Sequence, residues 1–346
     1  MPVKALTKAA TIYQVAARAG VSIATVSRAL RDDTPVTEET RRRVLAAAAE
    51  LDFAPSQPAR SLAEGRHAAN GIVFPDLVGP YYAEVVLGYE AVAAQLGSSV
   101  LILATRDRRD VAAAVRELAR RVDGLALLGR TAGNDVVAGI AASRPVVLIA
   151  RDPVPGTDSV RTGNVHTARA LGEHLLGHGY RRFAFLGEPD DSPDVAGRYA
   201  GFRSVLRASA GDGSLALVPT QGLDLEAGER AAGDLIRRGR PPHALICAND
   251  ELALGALRAA RDAGLDVPGD LAVTGWDDLL AASFAGLTTV AQPMRQLGAT
   301  AARWLNRRIQ DPAPADPAPA ARRRVLPTRL VVRSSCGPHP SEVHET

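Results

Sequence analysis

Within seven residues, Ser22 to Arg28, the chain sets three hydroxyls (Ser22, Thr25, Ser27), two small apolar side chains (Ile23, Ala24) and a guanidinium (Arg28). Hydroxyls bond to phosphates or base edges, an arginine donates to guanine or to a phosphate, and small apolar groups meet thymine methyls. That chemistry requires one element to present the set on one exposed face. A helix does so, and its N-terminal turn is the part that reaches base edges when it lies in a major groove.

The flanking sequence supplies such a helix and its support. Thr11 with Gln14 fits a capping box, Ile12, Val15, Ala16 and Ala19 recur at three and four residues, and Gly20 suits a left-handed helix end. Ser22 can cap a second helix with Val26, Ala29 and Leu30 as its buried stripe, which leaves Ile23, Ala24, Ser27 and Arg28 outward. A third helix is predicted from Thr37, with Glu38 and Glu39 in its first turn, running through Val44, Leu45 and Ala48 towards Leu51. Two short helices about a glycine turn make a helix-turn-helix. The same geometry also occurs in domains that touch no DNA.

Charge is distributed to match. Of 41 Lys and Arg and 38 Asp and Glu, residues 1–66 hold 10 and 7, so the whole net charge of +3 lies there, and five basic residues precede the first acid, Asp32. A basic head on a neutral body is the electrostatic footprint of a nucleic-acid-binding module. At 346 residues, 46% hydrophobic and 23% charged, the chain has the composition of a folded globular protein of about two domains. It shows no apolar run long enough to span a bilayer and no apolar leader, so the expectation is a cytoplasmic chain without membrane contact. Cys247 and Cys336 stand far apart and are read as inert thiols, and no metal or cofactor is expected.

From residue 71 short apolar runs alternate with helical patterns. Strands are predicted at 72–74, 100–104, 125–128, 146–149, 183–186, 245–247 and 271–274, with helices at 82–96, 165–176 and 251–263 among them. Strands in that order need crossover connections, so the class is α/β: two doubly wound parallel sheets, with a ligand cleft beyond the strand carboxyl ends.

The segments TIYQVAARAGVSIATVSRAL, VTEETRRRVLAAAAELDFAP and ARSLAEGR resemble the head and hinge of the LacI/GalR family of bacterial transcription regulators. The resemblance continues through GIVFPDLVGPYYAEVVLGYEAVAA, GRYAGFRSVL, ALICANDELALGALRAARDAGLDVPGDLAVTGWDD and LTTVAQP. It implies an all-α helix-turn-helix head (1–55), a hinge (56–66), a two-lobed periplasmic-binding-protein-like body (67–336) and a tail (337–346). The lobes would comprise 67–165 with 293–324, and 166–291 with 325–336, the chain crossing three times. It further implies a homodimer bound to near-palindromic double-stranded operator DNA. A small-molecule effector in the cleft, a sugar, sugar acid or sugar phosphate, would alter that affinity.

On this resemblance the DNA-binding candidates are Thr11, Tyr13, Ser22, Ile23, Ala24, Thr25, Ser27 and Arg28, with Arg60 and Leu62 of the hinge. Leu62 matches the residue that family members wedge into the minor groove, and Pro58 departs from the aliphatic residue usual there. For the ligand, Arg198 matches the arginine aimed into the cleft, accompanied by Tyr81, Tyr82, Arg151, Asn249, Trp276 and Asp277. Asn249 could equally cap the helix that follows it.

Three departures bear on the ligand. Ala150 stands where many sugar-responsive members carry an aspartate, Leu223 where an aromatic covers the ligand, and Gly163 where an acid precedes Asn164. With Arg151 and Arg198 expected at the mouth, they point to an acidic or phosphorylated ligand rather than a simple hexose. They also keep open a regulator that binds DNA without a ligand. A solute-binding receptor shares the body but should carry an export signal and lack the head. No P-loop, G-x-S-x-G, H-E-x-x-H or metal-spaced histidine cluster is read, which argues against an enzyme.

Overall fold

Helix starts in the first fifty residues follow from side-chain capping by Thr11, Ser22 and Thr37. The computed structural model describes residues 10–30, 36–53, 67–210, 215–239, 241–310 and 320–337, so Arg60, Leu62 and the rest of the hinge lie outside the described residues. The chain divides into two units, Met1–His67 and Ala68–Thr346.

In the first unit, α1 (Ile12–Ala19) begins with the capping box: the Gln14 amide donates to Thr11 Oγ1 at 3.4 Å and the Thr11 amide to Gln14 Oε1 at 2.8 Å. Gly20 ends it at φ 64°, where a side chain would be strained. Helix α2 (Ile23–Ala29) is capped by Ser22, which accepts from the Thr25 amide, and α3 (Glu38–Glu50) by Thr37. Val15, Ala16, Ala19, Val26, Ala29, Val44, Ala47 and Ala48 form the small shared core. Leu45 is exposed, whereas Ala47 joins the core. Alanine lets three short helices approach closely where leucine would hold them apart.

In the second unit, β1 (Ala69–Phe74), β2 (Ser99–Ala104), β3 (Gly124–Leu128), β4 (Val146–Ile149), β5 (Asp158–Thr162) and β11 (Arg323–Leu326) form one parallel sheet ordered β11-β5-β4-β3-β1-β2. A second parallel sheet, β7-β6-β8-β9, comprises β6 (Phe183–Leu186), β7 (Leu215–Val218), β8 (Ala244–Cys247) and β9 (Ala272–Thr274). The antiparallel pair β10 (Thr289–Ala291) and β12 (Arg329–Val331) stands beside it. All seven predicted strands are present, the last strands β11 and β12 follow the Pro/Ala run at 311–320, and β5, β7 and β10 are additional. The lobe limit placed at 324/325 falls inside β11, which pairs with β5 through Leu326, so the first lobe runs on to Leu326.

Helices α4 (Pro80–Gln95), α5 (Val111–Arg120) and α6 (Asn134–Ala141) belong to the first lobe, together with the returning α12 (Met294–Gln310). The second lobe holds α7 (Val165–Gly177), α8 (Pro193–Ala210), α9 (Leu225–Arg237), α10 (Asp250–Asp262) and the short α11 (Leu280–Phe284). Each lobe contains a helix pair in backbone contact. A Cβ at Gly88 or Gly298 would run into the backbone of α12 or α4, and one at Gly228 or Gly255 into that of α10 or α9. Arg308 of α12 grips the fully buried Asp158 of β5 through two bonds, 2.6 and 3.1 Å, and the Arg322 amide adds a third at 2.7 Å.

The three crossings are stitched together. Thr162 Oγ1 donates to Gln292 Oε1 at 2.6 Å, joining the first crossing to the second, and Thr328 Oγ1 donates to the Gly163 carbonyl at 2.6 Å, joining the third to the first.

Candidate functional site

In the first unit the predicted reading face is outward. Tyr13, Ser22, Ile23, Ala24 and Arg28 are exposed, and Thr25 and Ser27 are half-buried. The Ser22 and Thr25 hydroxyls lie 2.8 Å apart at the start of α2, and Thr11 holds the capping box. Arg18 is paired with Glu50 of α3 at 2.8 Å, and Arg43 donates to the Ala19 carbonyl at the end of α1, where the helix dipole favours a cation. Those two arginines brace the helices, whereas Arg28 has no ion pair or hydrogen bond to another described residue.

In the second unit a cavity of about 330 Å³ opens between the lobes, a volume suited to a small ligand. Tyr81, Tyr82, Ala150, Arg198, Leu223, Asn249 and Asp277 line it. Tyr81 and Tyr82 begin α4 and meet edge to face, 5.4 Å between ring centres. Burial raises both phenol pKa values, so they act as neutral donors.

Arg198 projects from the first turns of α8 and is almost fully buried. Its Nε donates to Asn164 Oδ1 at 3.0 Å, its Nη1 to the Ala248 carbonyl, and its Nη2 lies 4.0 Å from Asp277 Oδ1. Asp277 is held at φ 122° after β9 and accepts from Gln292 Nε2. Burial pushes its carboxyl up to about 8, Arg198 opposing the shift. A continuous polar path therefore runs from Arg198 and Asp277 in the cleft to Gln292 and Thr162 at the crossings.

Two expectations are corrected. Arg151 does not line the cleft: its guanidinium donates to the Ala132 carbonyl at 3.1 Å and to Asn134 Oδ1 at 2.6 Å, bracing the loop before α6. Trp276 is wholly buried beneath Arg198, whose guanidinium carbon sits 4.7 Å from the ring centre, so it supports the arginine rather than stacking on a ligand. Asn249 has both roles considered. It lines the cleft, yet its Oδ1 caps α10 through the Leu252 amide and its Nδ2 donates to the Leu223 carbonyl.

Residues that the sequence reading passed over are as prominent. Asp194 accepts from Asn164 Nδ2 at 2.9 Å, and burial raises its pKa. Asp250, beneath the floor, accepts from the Thr289 hydroxyl and the Leu279 amide and fixes the loop that carries Asp277; burial lifts it to about 6. Glu251 is likewise raised to about 6, by burial and neighbouring acids. The lining carries seven carboxyl groups (Asp76, Glu188, Asp191, Asp194, Asp224, Glu251 and Asp277, the last raised to about 8 and so neutral at pH 7) against three guanidiniums. Each guanidinium is engaged: Arg106 with Asp76, Arg130 with the Asp190 carbonyl across the cleft, and Arg198 as described. The acidic-ligand expectation loses its basis, since Arg151 faces away and the field is negative.

A helix-turn-helix unit followed by two doubly wound lobes about a polar cleft defines a ligand-binding regulator of the DNA-reading kind. Residues 11–56 match the model of bacterial regulatory proteins of the lacI family, and residues 173–336 that of a periplasmic binding protein-like domain. The HTH-type transcriptional regulator DegA of Bacillus subtilis is 31% identical over 339 residues, 95% of this chain and 98% of DegA. Among solved structures, the lac repressor dimer bound to operator and the anti-inducer ONPF superposes with a TM-score of 0.83 at 29% identity, covering 96% of this chain and 100% of that one. The transcriptional regulator CelR–cellobiose complex does so with a TM-score of 0.68 at 28% identity, covering 94% and 99%. The chain belongs to the LacI family of transcriptional regulators. No helix among its described residues is long and apolar enough to cross a membrane.

Proposed function

We propose that this chain is a repressor that binds a near-palindromic operator as a homodimer, in the cytoplasm where the chromosome lies, and that a neutral polyhydroxy compound of the sugar class controls it from the cleft. The observation that carries the reading is the path from Arg198 and Asp277 through Gln292 to Thr162. A ligand that engages the cleft residues acts on the same hydrogen bonds that set the crossings between lobes, and a change of lobe angle is the event that a dimeric regulator can transmit to its DNA-reading heads.

The ligand class follows from the lining. Carboxylates and tyrosine hydroxyls accept from and donate to sugar hydroxyls, while a phosphate or carboxylate would meet the negative field with every nearby guanidinium already engaged. The cellobiose complex of CelR, a structural neighbour, agrees with this class. Dimerisation is supported by apolar surface on both lobes: Leu87 and Leu96 at α4, Ile102 on the edge strand β2, and Leu280 with Phe284 on α11 are exposed. On the head, Ile23, Ala24 and Arg28 are the base-edge candidates and Ser22, Thr25, Ser27 and Tyr13 the phosphate or base candidates. Arg60 and Leu62 keep the hinge roles that the family resemblance gives them.

The test pairs selection of sites from random duplex DNA, at fixed near-physiological salt, with calorimetry against neutral sugars, sugar acids and sugar phosphates. The expected result is an enriched palindrome with half-sites about one helical turn apart, and binding of a neutral sugar. Arg28→Ala should lower operator affinity about tenfold or more. Gln292→Ala should keep both bindings and lose the effect of one on the other. No enriched palindrome, with or without the sugars, would overturn the operator reading, and tight binding confined to phosphates or acids would overturn the ligand class.

A further inference from the structure

One group of metal-ligating side chains stands apart from the cleft. His174 and His178 are one turn apart at the C-terminal end of α7, and Cys336 ends the short turn Ser334–Cys336. The i, i+4 spacing puts both imidazoles on one face of the helix. His174 Nε2 lies 3.3 Å from Cys336 Sγ and 3.3 Å from His178 Nε2, and the three ligand atoms all fall within 4.8 Å of one another. A tetrahedral zinc ion, with Zn–N of about 2.0–2.1 Å and Zn–S of about 2.3 Å, sets its ligand atoms about 3.3–3.6 Å apart.

We propose that His174, His178 and Cys336 form a Zn²⁺ site on the second lobe. Two imidazoles and a thiolate suit a borderline-soft ion and disfavour magnesium or calcium. Neighbouring groups hold the ligands in place. The Thr288 hydroxyl lies 2.9 Å from the sulfur, the Tyr180 hydroxyl donates to the Cys336 carbonyl at 3.1 Å, and Gly337 passes so close to His178 that a Cβ there would stand 2.8 Å from its Nδ1. Such supporting contacts fix ring and sulfur orientation in zinc sites. Three protein ligands leave the fourth position to water or another donor.

This reading replaces two expectations, that the histidines are scattered without a metal spacing and that Cys336 is an isolated inert thiol. The ion clamps the segment that follows the last crossing onto the end of α7. The other end of that helix, about 20 Å away, begins at Asn164, the partner of Arg198 in the cleft.

The experiment titrates the untagged, metal-stripped full chain with Zn²⁺ by calorimetry and repeats the titration with Co²⁺ in the spectrophotometer. Expected are one equivalent of Zn²⁺ bound with a dissociation constant below about 1 μM, and a thiolate-to-cobalt charge-transfer band. Cys336→Ser should abolish the band and weaken Zn²⁺ binding about tenfold or more, while Cys247→Ser, whose sulfur is buried in β8, leaves both intact. His178→Gln, at a half-buried helix end, provides the second variant, with folding checked by circular dichroism. Absence of binding tighter than about 100 μM, or an affinity unchanged in both Cys336→Ser and His178→Gln, would overturn the proposal.

Discussion

Asp277 combines a backbone angle that non-glycine residues rarely adopt with a carboxyl pushed up to about 8 by burial. A raised carboxyl favours the fold in its neutral form, so its stabilising contribution is full below the unfolded value near pH 4 and is lost as pH rises through about 8. Asp277→Asn should therefore melt higher than the parent at pH 8, with the difference shrinking towards pH 4; a pH-independent difference in thermal denaturation would contradict this account. Arg198 and Asp277 could be found from motifs because each sits beside its motif's backbone landmark. Arg151 could not be placed that way. Just past β4 the backbone turns at Ala150, φ 53°, so Ala150 lines the cleft while Arg151 is carried to Ala132 and Asn134. The partners of Arg198 and Asp277, Asn164 and Gln292, come from distant crossings, and no local pattern marks them. The spacing of His174 and His178 is visible in the sequence, whereas Cys336 joins them only through the fold, 162 residues from His174.

Elements whose signals are local were readable in advance: α1 from its capping box and Gly20, α7 and α10 from their apolar stripes, and β3, β4, β6 and β8 from short apolar runs. Strand β5 reads DSVRT and looks like loop, because Asp158 is made tolerable in the core by Arg308, 150 residues later. Helix α12 lies as far along the chain, and its return to the first lobe, expected only from the family resemblance, packs it on α4. Their contact is through Gly88 and Gly298, so Gly298→Ala drives a methyl into the Val85 carbonyl. We expect a loss of about 3 kcal/mol or more, seen as a melting temperature lowered by about 5 °C or more, while Gly139→Ala, in open space on α6, changes it little. Equal effects of the two substitutions in calorimetry would refute the close-contact argument.

For the whole molecule, the proposed dimer makes its own prediction. Phe284, 85% exposed, and Leu280 lie one turn apart on α11, and Phe284→Asp places a charge where a second copy would bury an aromatic ring. Sedimentation should show monomers, and operator affinity should fall about a hundredfold or more as two linked heads become one; an intact dimer would remove α11 from the interface. The paired glycines have a mechanical consequence as well. Helices that touch backbone to backbone cannot slide past each other, so each lobe behaves as a stiff arm, and the compliance of the body gathers in the few residues around Thr162, Gln292 and Thr328. Leverage then does the rest. Helix α4 is about 24 Å long, so a lobe rotation of about 5° displaces one of its ends relative to the other by about 2 Å, and a displacement of a fraction of an ångström at a ligand hydroxyl grows with distance from the crossings.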